Sequence, residues 1–273
     1  MGTEARVVLY AADELQARKA AEAAFGRIAD IEDVLSDYRV DSEVVQLRQA
    51  PIGVWIKVSD DLNQTLCIAE SVREWTGGAF DVRCGRATQL WRHTRSLGQS
   101  PAALPPAQMA TLEMDRTNTR IRLHEPMPWL DFGGIGKGWA ADEAMHVLAQ
   151  HGVSRAMVDI GGDIALGAAP PGHDGWRIQR SGTSQGWVLA DCGVATSGFR
   201  EQHIDGPEGS WSHLWDPRSG LWVGRHPDVT IIAPTAALAD ALASAACVMG
   251  AADLRVMIQE RDDIEVVSGT CRP

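Results

Sequence analysis

The 273-residue sequence contains no CxxC pair and no HExxH, and none of its cysteines sits in a ligand or nucleophile motif. Those gaps leave out the common zinc spacings and the zinc-peptidase signature. Cys67, Cys84, Cys192, Cys247 and Cys271 are five in number and widely separated, which fits reduced thiols better than a disulfide framework. Thr196-Ser197-Gly198 follows Ala195 instead of completing G-x-S-x-G, so the serine-hydrolase elbow is missing. No apolar run is long enough to span a bilayer, and the start does not read as a secretion signal. The expectation is a cytoplasmic chain, or an exported one if a leader was removed ahead of Met1. Basic runs are absent too: 25 Lys+Arg face 36 Asp+Glu, a net charge of -11, and the arginines are scattered. Nucleic-acid surfaces need clustered cations, so no such partner is expected. Tyrosine is scarce, with two against ten tryptophans, and those tryptophans are first of all packing residues.

What is present is ordinary for a soluble globular protein, 45% hydrophobic and 22% charged. Val7–Tyr10 reads as a strand. Over Asp13–Tyr38, Ala17, Ala21, Ala24, Ile28, Ile31 and Leu35 recur at steps of four and three, the helical spacing. Phe25 widens that face, and Gly26 marks a point where the helix could break. Ile52–Val58 alternates like a strand, and Ser59 then caps a helix from Asp60 to Trp75, ended by Gly77–Gly78. Ser96–Pro106 reads as a surface loop. Beyond it lie a strand at Arg120–Leu123, a turn at Gly133–Gly138 and a helix from Trp139 to Gln150 stopped by Gly152. Short strands follow at Ala156–Ile160, Asp163–Ala168, Trp176–Gln179, Trp187–Ala190, His213–Trp215 and Val229–Ile232, then a helix at Ala236–Val248 and a helix-strand tail. Strands in series, without repeated βαβ units, favour an α+β fold. The length suits one large domain or two small ones sharing a core.

Four segments could carry chemistry. Asp131-Phe-Gly-Gly-Ile-Gly-Lys-Gly138 lets the backbone approach a ligand, and a helix start favours phosphate, with Lys137 as a point charge. It is neither a Walker loop nor GxGxxG, and a tight strand-to-helix turn explains it about as well. On the Leu238–Ala245 helix, Asp240 and Ser244 are four apart and share a face. A carboxylate beside a hydroxyl suits a hard cation such as Mg²⁺. Ser244 bonding back to the carbonyl of residue 240 is the plainer account of that pair alone. His213, within Ser212–Gly220, could act as a base or bond a flavin edge or phosphate, although a lone histidine is more often structural. Thr76-Gly-Gly-Ala-Phe-Asp81 could line a nucleotide pocket or merely end a helix, and Gly161-Gly162-Asp163 has the same ambiguity.

Their order says more than any one of them. Met1-Gly-Thr, Leu35-Ser-Asp-Tyr38, Asp41-Ser-Glu43, Gly77–Asp81, Asp131–Gly138, Gly161-Gly-Asp163, Thr196-Ser-Gly198, Ser212–Gly220 and Ala239-Asp-Ala241 occur in succession. That succession resembles the FAD:protein FMN transferase (ApbE) family from the first residue almost to the last. The resemblance implies a single unit over 1–273, two intimately associated lobes with FAD and Mg²⁺ between them. It implies cleavage of FAD and attachment of FMN to a Thr or Ser hydroxyl of an acceptor protein carrying a flavinylation motif, with AMP released. Carried over by position, Asp240 and Ser244 match metal ligands, as do the backbone carbonyls of Gly134 and Ala237. Met1, Tyr38, Ala79, Phe80, Asp81, Asp131, Lys137 and His213 match FAD-contacting positions, and His213 also matches the residue that activates the acceptor hydroxyl. Arg48 departs from the pattern, standing where the family has Asn, and is expected to reshape the flavin pocket or bond a phosphate. That departure keeps FAD pyrophosphatase as an alternative; a non-catalytic FAD-binding protein is a further one, against which the set of Asp240, Ser244 and His213 speaks. Ser244 stands for the more usual Thr, and Gly136 for Ala.

Overall fold

The computed structural model describes residues 2–99, 101–105, 112–124, 129–180, 186–199, 202–206 and 209–269. In chain order its strands are β1 (Ala5–Tyr10), β2 (Trp55–Lys57), β3 (Leu112–Asp115), β4 (Arg120–Leu123), β5 (Arg155–Ile160), β6 (Asp163–Leu166) and β7 (Trp176–Gln179). They continue as β8 (Gly186–Leu189), β9 (Cys192–Ser197), β10 (His203–Gly206), β11 (Gly209–Asp216), β12 (Leu221–Gly224), β13 (Val229–Ala233) and β14 (Glu265–Ser268). The α-helices are α1 (Glu14–Leu35), α2 (Glu43–Gln46), α3 (Asp60–Trp75), α4 (Gly85–Ser96), α5 (Gly136–Gln150), α6 (Ala236–Met249) and α7 (Ala251–Met257).

The frame is a six-stranded sheet in the order β1-β5-β6-β9-β13-β14, antiparallel at every pairing. Side chains alternate between its two faces. Ala156, Val158 and Ile160 of β5 and Val229, Ile231 and Ala233 of β13 enter the main core, under α5 and α6. Met157, Val194 and Ile232 point the other way, into a smaller cluster with Trp176 and Ile178 of the β7–β8 hairpin. Both faces are therefore covered, which is why β5 and β13 read as nearly unbroken apolar runs. A three-stranded sheet, β10-β11-β12, stands apart and packs Ile204 and Trp222 against Trp91 of α4. The remaining three-stranded sheet has the order β2-β4-β3.

Helix α6 is buried at every position from Ala236 to Cys247. Its small residues let neighbouring backbone come close. A Cβ on Gly138 of α5 would sit 2.3 Å from the Ala236 carbonyl oxygen, and one on Gly193 of β9 would sit 2.2 Å from the Ala236 nitrogen. Glycine is required at both positions for α5 and β9 to pack on the first turn of α6. That turn is held by the Thr235 hydroxyl, which accepts from Leu238 N–H at 3.3 Å. The Asp142 carboxylate of α5 accepts from Ala236 and Ala237 N–H at 2.8 and 2.9 Å. A neighbouring helix thus supplies part of the cap.

Several expectations are corrected. Helix α1 runs unbroken through Gly26, because Ala20, Ala24, Ile31 and Leu35 are buried on both sides of it. Burial of that stripe outweighs the roughly 1 kcal/mol that a helical glycine costs. Phe25 does not widen the face; it is 44% exposed. The strand expected over Ile52–Val58 is only Trp55–Lys57, and Ile52 and Val54 are exposed. Helix α5 begins at Gly136, so Lys137 belongs to its first turn and not to a preceding loop. Helix α4 and strand β9 were not expected. Cys67, Cys84 and Cys192 are free thiols, Cys247 is buried with its thiol donating to the Ser197 carbonyl at 3.3 Å, and Cys271 lies outside the described residues.

Candidate active site

A cavity of about 410 Å³ is lined by the end of α1, by α4, by the Asp131–Lys137 segment, and by residues of β9, β11 and α6. Asp240 and Ser244 stand one turn apart on α6, both buried and both on its wall. Gly134 approaches them from the turn before α5: a Cβ there would lie 2.8 Å from Ser244 Oγ and 3.3 Å from Phe80 Cε2. Ser197 at the end of β9 places its Oγ 3.4 Å from Ser244 Oγ. Gly134 and the two hydroxyls therefore meet at one spot, and the Asp240 carboxylate lines the same cavity one helical turn away.

Lys137 joins this group from α5. Its ammonium hydrogen-bonds the Asp163 carboxylate and lies 3.5 Å from Asp240 Oδ2. Asp240 Oδ2 also accepts from Gly138 N–H at 3.3 Å. Burial, reinforced by the neighbouring Asp240 charge, pushes the Asp163 carboxyl up to about 7, against the pull of Lys137. Two carboxyl groups thus share one ammonium.

The cavity wall as a whole is acidic. Glu32, Asp37, Asp81, Asp131, Asp163 and Asp240 line it, against Lys137 and Arg92 among the described lysines and arginines. A pyrophosphate-bearing ligand is repelled by such a wall unless a cation accompanies it. Among the described residues, no group of three or more His, Cys, Asp or Glu could hold a metal. The oxygen donors that do converge suit a hard ion held by one or two carboxylates together with substrate phosphates. The residues fit Mg²⁺ on those terms.

His213 reaches the cavity from β11. Its Nδ1 stands 3.2 Å from the Gln202 carbonyl oxygen, a contact that places the ring proton on Nδ1 and leaves Nε2 as the acceptor. Burial lowers the imidazole pKa, the Gln202 bond opposing it. The neutral form is the base form.

Tyr38, Ala79, Phe80, Asp81 and Asp131 also line the cavity. Asp81 is largely occupied: it accepts from Arg83 N–H, Nε and Nη2 at 2.9, 2.7 and 2.8 Å. Asp131 caps its own turn through Gly133 N–H at 2.7 Å. Ala237 is fully buried and not among the lining residues. Met1 lies outside the described residues. Arg48, expected to reshape the pocket or bond a phosphate, does not line it either. Its Nη2 donates to the Asp37 carbonyl at 2.8 Å and its guanidinium lies 4.3 Å from the Trp129 ring centroid.

The ApbE family model matches residues 1–268. The chain belongs to the ApbE family. A FAD:protein FMN transferase of Klebsiella pneumoniae (strain 342) is 27% identical, covering 98% of this chain and 86% of its own length. One from Treponema pallidum (strain Nichols) is 31% identical, covering 92% of this chain and 77% of its own. The crystal structure of the ApbE protein from Thermotoga maritima has a TM-score of 0.80 at 27% identity, covering 98% of this chain and 91% of that one. Flavin transferase ApbE from Vibrio cholerae shares the fold, with a TM-score of 0.78 at 24% identity over 99% of this chain and 95% of its own. The mixed helix and sheet architecture is thus that of ApbE crystal structures. No described helix is long and apolar enough to cross a membrane.

Arg92 lines this ApbE-family cavity and was not singled out from the sequence, and its pairing with Asp37 spans 55 positions, which no local pattern encodes. Asp163 and Asp37 stood within the Gly161–Asp163 and Leu35–Tyr38 segments without a role of their own.

Proposed function

We propose that this chain is an Mg²⁺-dependent FAD:protein FMN transferase. It takes FAD into the cavity, cleaves the pyrophosphate and attaches FMN through a phosphoester bond to a Ser or Thr hydroxyl of an acceptor protein. AMP leaves. The observation that carries this reading is the meeting of Asp240, Ser244, Gly134, Lys137 and His213 around one cavity, in a chain of the ApbE family. Phosphoryl transfer asks a protein chiefly for positioning and charge neutralisation, and this cavity supplies the groups for both.

The acceptor oxygen forms a bond to the FMN phosphorus as the P–O bond to AMP breaks. His213 Nε2 takes the hydroxyl proton, its Nδ1–H held by Gln202 so that the ring keeps one orientation. Lys137 places a positive charge between Asp163 and Asp240 and limits their mutual repulsion. Gly134 leaves open the space that a side chain would fill against Ser244. Mg²⁺ held by Asp240, Ser244 and the Gly134 backbone would supply Lewis-acid polarisation of the phosphate oxygens and would offset the acidity of the wall.

Water as acceptor would make the protein an FAD pyrophosphatase. Arg48 was the reason to weigh that alternative, and Arg48 stands behind Asp37, off the cavity wall. The deciding experiment incubates the protein with FAD, Mg²⁺ and an acceptor carrying a Ser/Thr flavinylation motif, then measures AMP and the acceptor's mass. An added FMN mass supports transfer. AMP with free FMN alone overturns it in favour of hydrolysis, and no product leaves an FAD-binding protein.

A further inference from the structure

Arg92 lines the cavity beside groups that hold it in one pose. Its Nη1 lies 2.5 Å from Asp37 Oδ2 and its Nη2 3.2 Å from Asp37 Oδ1, a two-pronged pairing. Asp37 is buried and its carbonyl is in turn anchored by Arg48. Asp131 Oδ2 stands 4.0 Å away. The guanidinium lies over the ring of Tyr38, 4.8 Å from its centroid. The Arg92 side chain nevertheless remains 41% exposed and Tyr38 remains 56% exposed.

Charge balance for Asp37 does not require this arrangement. A lysine would neutralise the carboxylate without presenting a plane. A guanidinium pinned along one edge, stacked on an open phenol and still exposed, offers a planar cationic surface with spare N–H donors. It is poorly suited to be the main phosphate anchor, because Asp37 and Asp131 already offset its charge. Flat rings are the natural ligand for such a surface. Of the two ring systems in FAD, isoalloxazine carries carbonyl oxygens along one edge, which accept from guanidinium N–H groups. Adenine accepts only at single ring nitrogens, with N1 and N7 each beside the N6 amino donor, so it offers a guanidinium fork no pair of adjacent acceptors.

We infer that Arg92, stacked with Tyr38, is a specificity-determining residue that recognises the isoalloxazine ring of the flavin. The inference rests on the FAD-binding reading above and adds to it the part of the substrate that Arg92 reads.

The test uses the full chain with Mg²⁺ and compares dissociation constants for FAD and for ADP, which shares the adenosine and pyrophosphate but lacks the flavin. Arg92→Ala should weaken FAD binding about tenfold, the scale of a lost cation–π contact with its hydrogen bond, and leave ADP within about twofold. Arg92→Lys keeps a cation beside Asp37, so its thermal midpoint should match the wild type while FAD binding still weakens several-fold. If Arg92→Ala does not fold, Arg92→Lys carries the comparison. Equal losses for FAD and ADP would overturn the inference by placing Arg92 on the phosphates or the adenine. Unchanged binding of both ligands would reduce Arg92 to a partner for Asp37. Failure of the wild-type chain to bind FAD would sink the transferase reading itself, an outcome separable from a wild type that binds FAD and variants that bind it equally well.

Discussion

Lys137 and Arg92 both meet buried carboxylates at the cavity wall, but the two corners are built differently. Lys137 comes from the first turn of α5 and faces Asp163 at the start of β6 and Asp240 on α6. Those elements belong to the main core, and backbone contacts at Gly138 and Gly193 lock α6 in place. Arg92 comes from α4, and its partners Asp37 and Tyr38 follow the end of α1. The first corner collects oxygen atoms around a charge, as phosphoryl chemistry requires. At the second, planes are collected, as ring recognition requires. On the proposed function, the difference divides one acidic cavity between a reacting end and a reading end.

The comparison breaks most visibly at Asp240. Asp240→Ala should lower metal-dependent AMP release by more than about a thousandfold, since a bound cation supplies several kcal/mol of charge stabilisation. FAD affinity measured without Mg²⁺ should not fall, since one carboxylate of the repelling wall is gone. Undiminished turnover would make the α6 corner structural. Next in size is His213→Ala, which should slow transfer about a hundredfold, within the range of a lost general base. The wild-type rate should fall as pH drops through the imidazole pKa. Burial lowers that value, so the half-maximal rate should come below pH 6.5, and His213→Ala should flatten the limb. A limb that persists in the variant would assign it to another group.

The two corners were also unequally legible. Asp131–Gly138 and Leu238–Ala245 are continuous in sequence, and the four-residue step from Asp240 to Ser244 suffices to put both on one helix face. Helix α4 gave a fainter sign, because Ala87, Leu90 and Trp91 keep helical spacing but only two of them are large and the rest of the helix is polar. Strand β9, at the middle of the sheet, was missed for the opposite reason. Its six residues, Cys-Gly-Val-Ala-Thr-Ser, are mostly small and covered on both faces, so they show no alternation. Phe25 shows the limit of periodicity, since it sits beside the buried stripe and still faces water. Pairings such as Asp37 with Arg92 depend on how α1 and α4 meet, which no local pattern encodes.

A smaller effect tests how firmly the α6 corner is held. Burial keeps the Asp142 carboxyl up at about 6, although the Ala236 and Ala237 N–H bonds pull it down. A folded pKa above the unfolded one stabilises the native state below the unfolded value of 3.8 and loses that contribution as pH rises through about 6. Asp142→Asn removes the titration. Its thermal midpoint, measured without Mg²⁺, should therefore vary less than the wild type's between about pH 4 and pH 7. Identical profiles would show that Asp142 does not titrate in that window.

The smallest effect on catalysis is expected at Arg48, and it sharpens the comparison because Arg48 touches the reading corner only from behind. It contacts the Asp37 carbonyl and the Trp129 ring, and among the described residues its buried Nε has no hydrogen-bond partner. Arg48→Asn should cost about 1–2 kcal/mol of stability, from one charged hydrogen bond and a stacking contact, partly offset by removing the orphaned N–H. The ratio of flavinylated acceptor to free FMN should stay that of the wild type, since no atom of Arg48 lines the space where acceptor and water compete. A rise in free FMN would show that the Arg48–Asp37 contact governs access of water through Arg92. The division between a reacting corner and a reading corner would then fail, because a residue behind the second would be controlling the outcome at the first.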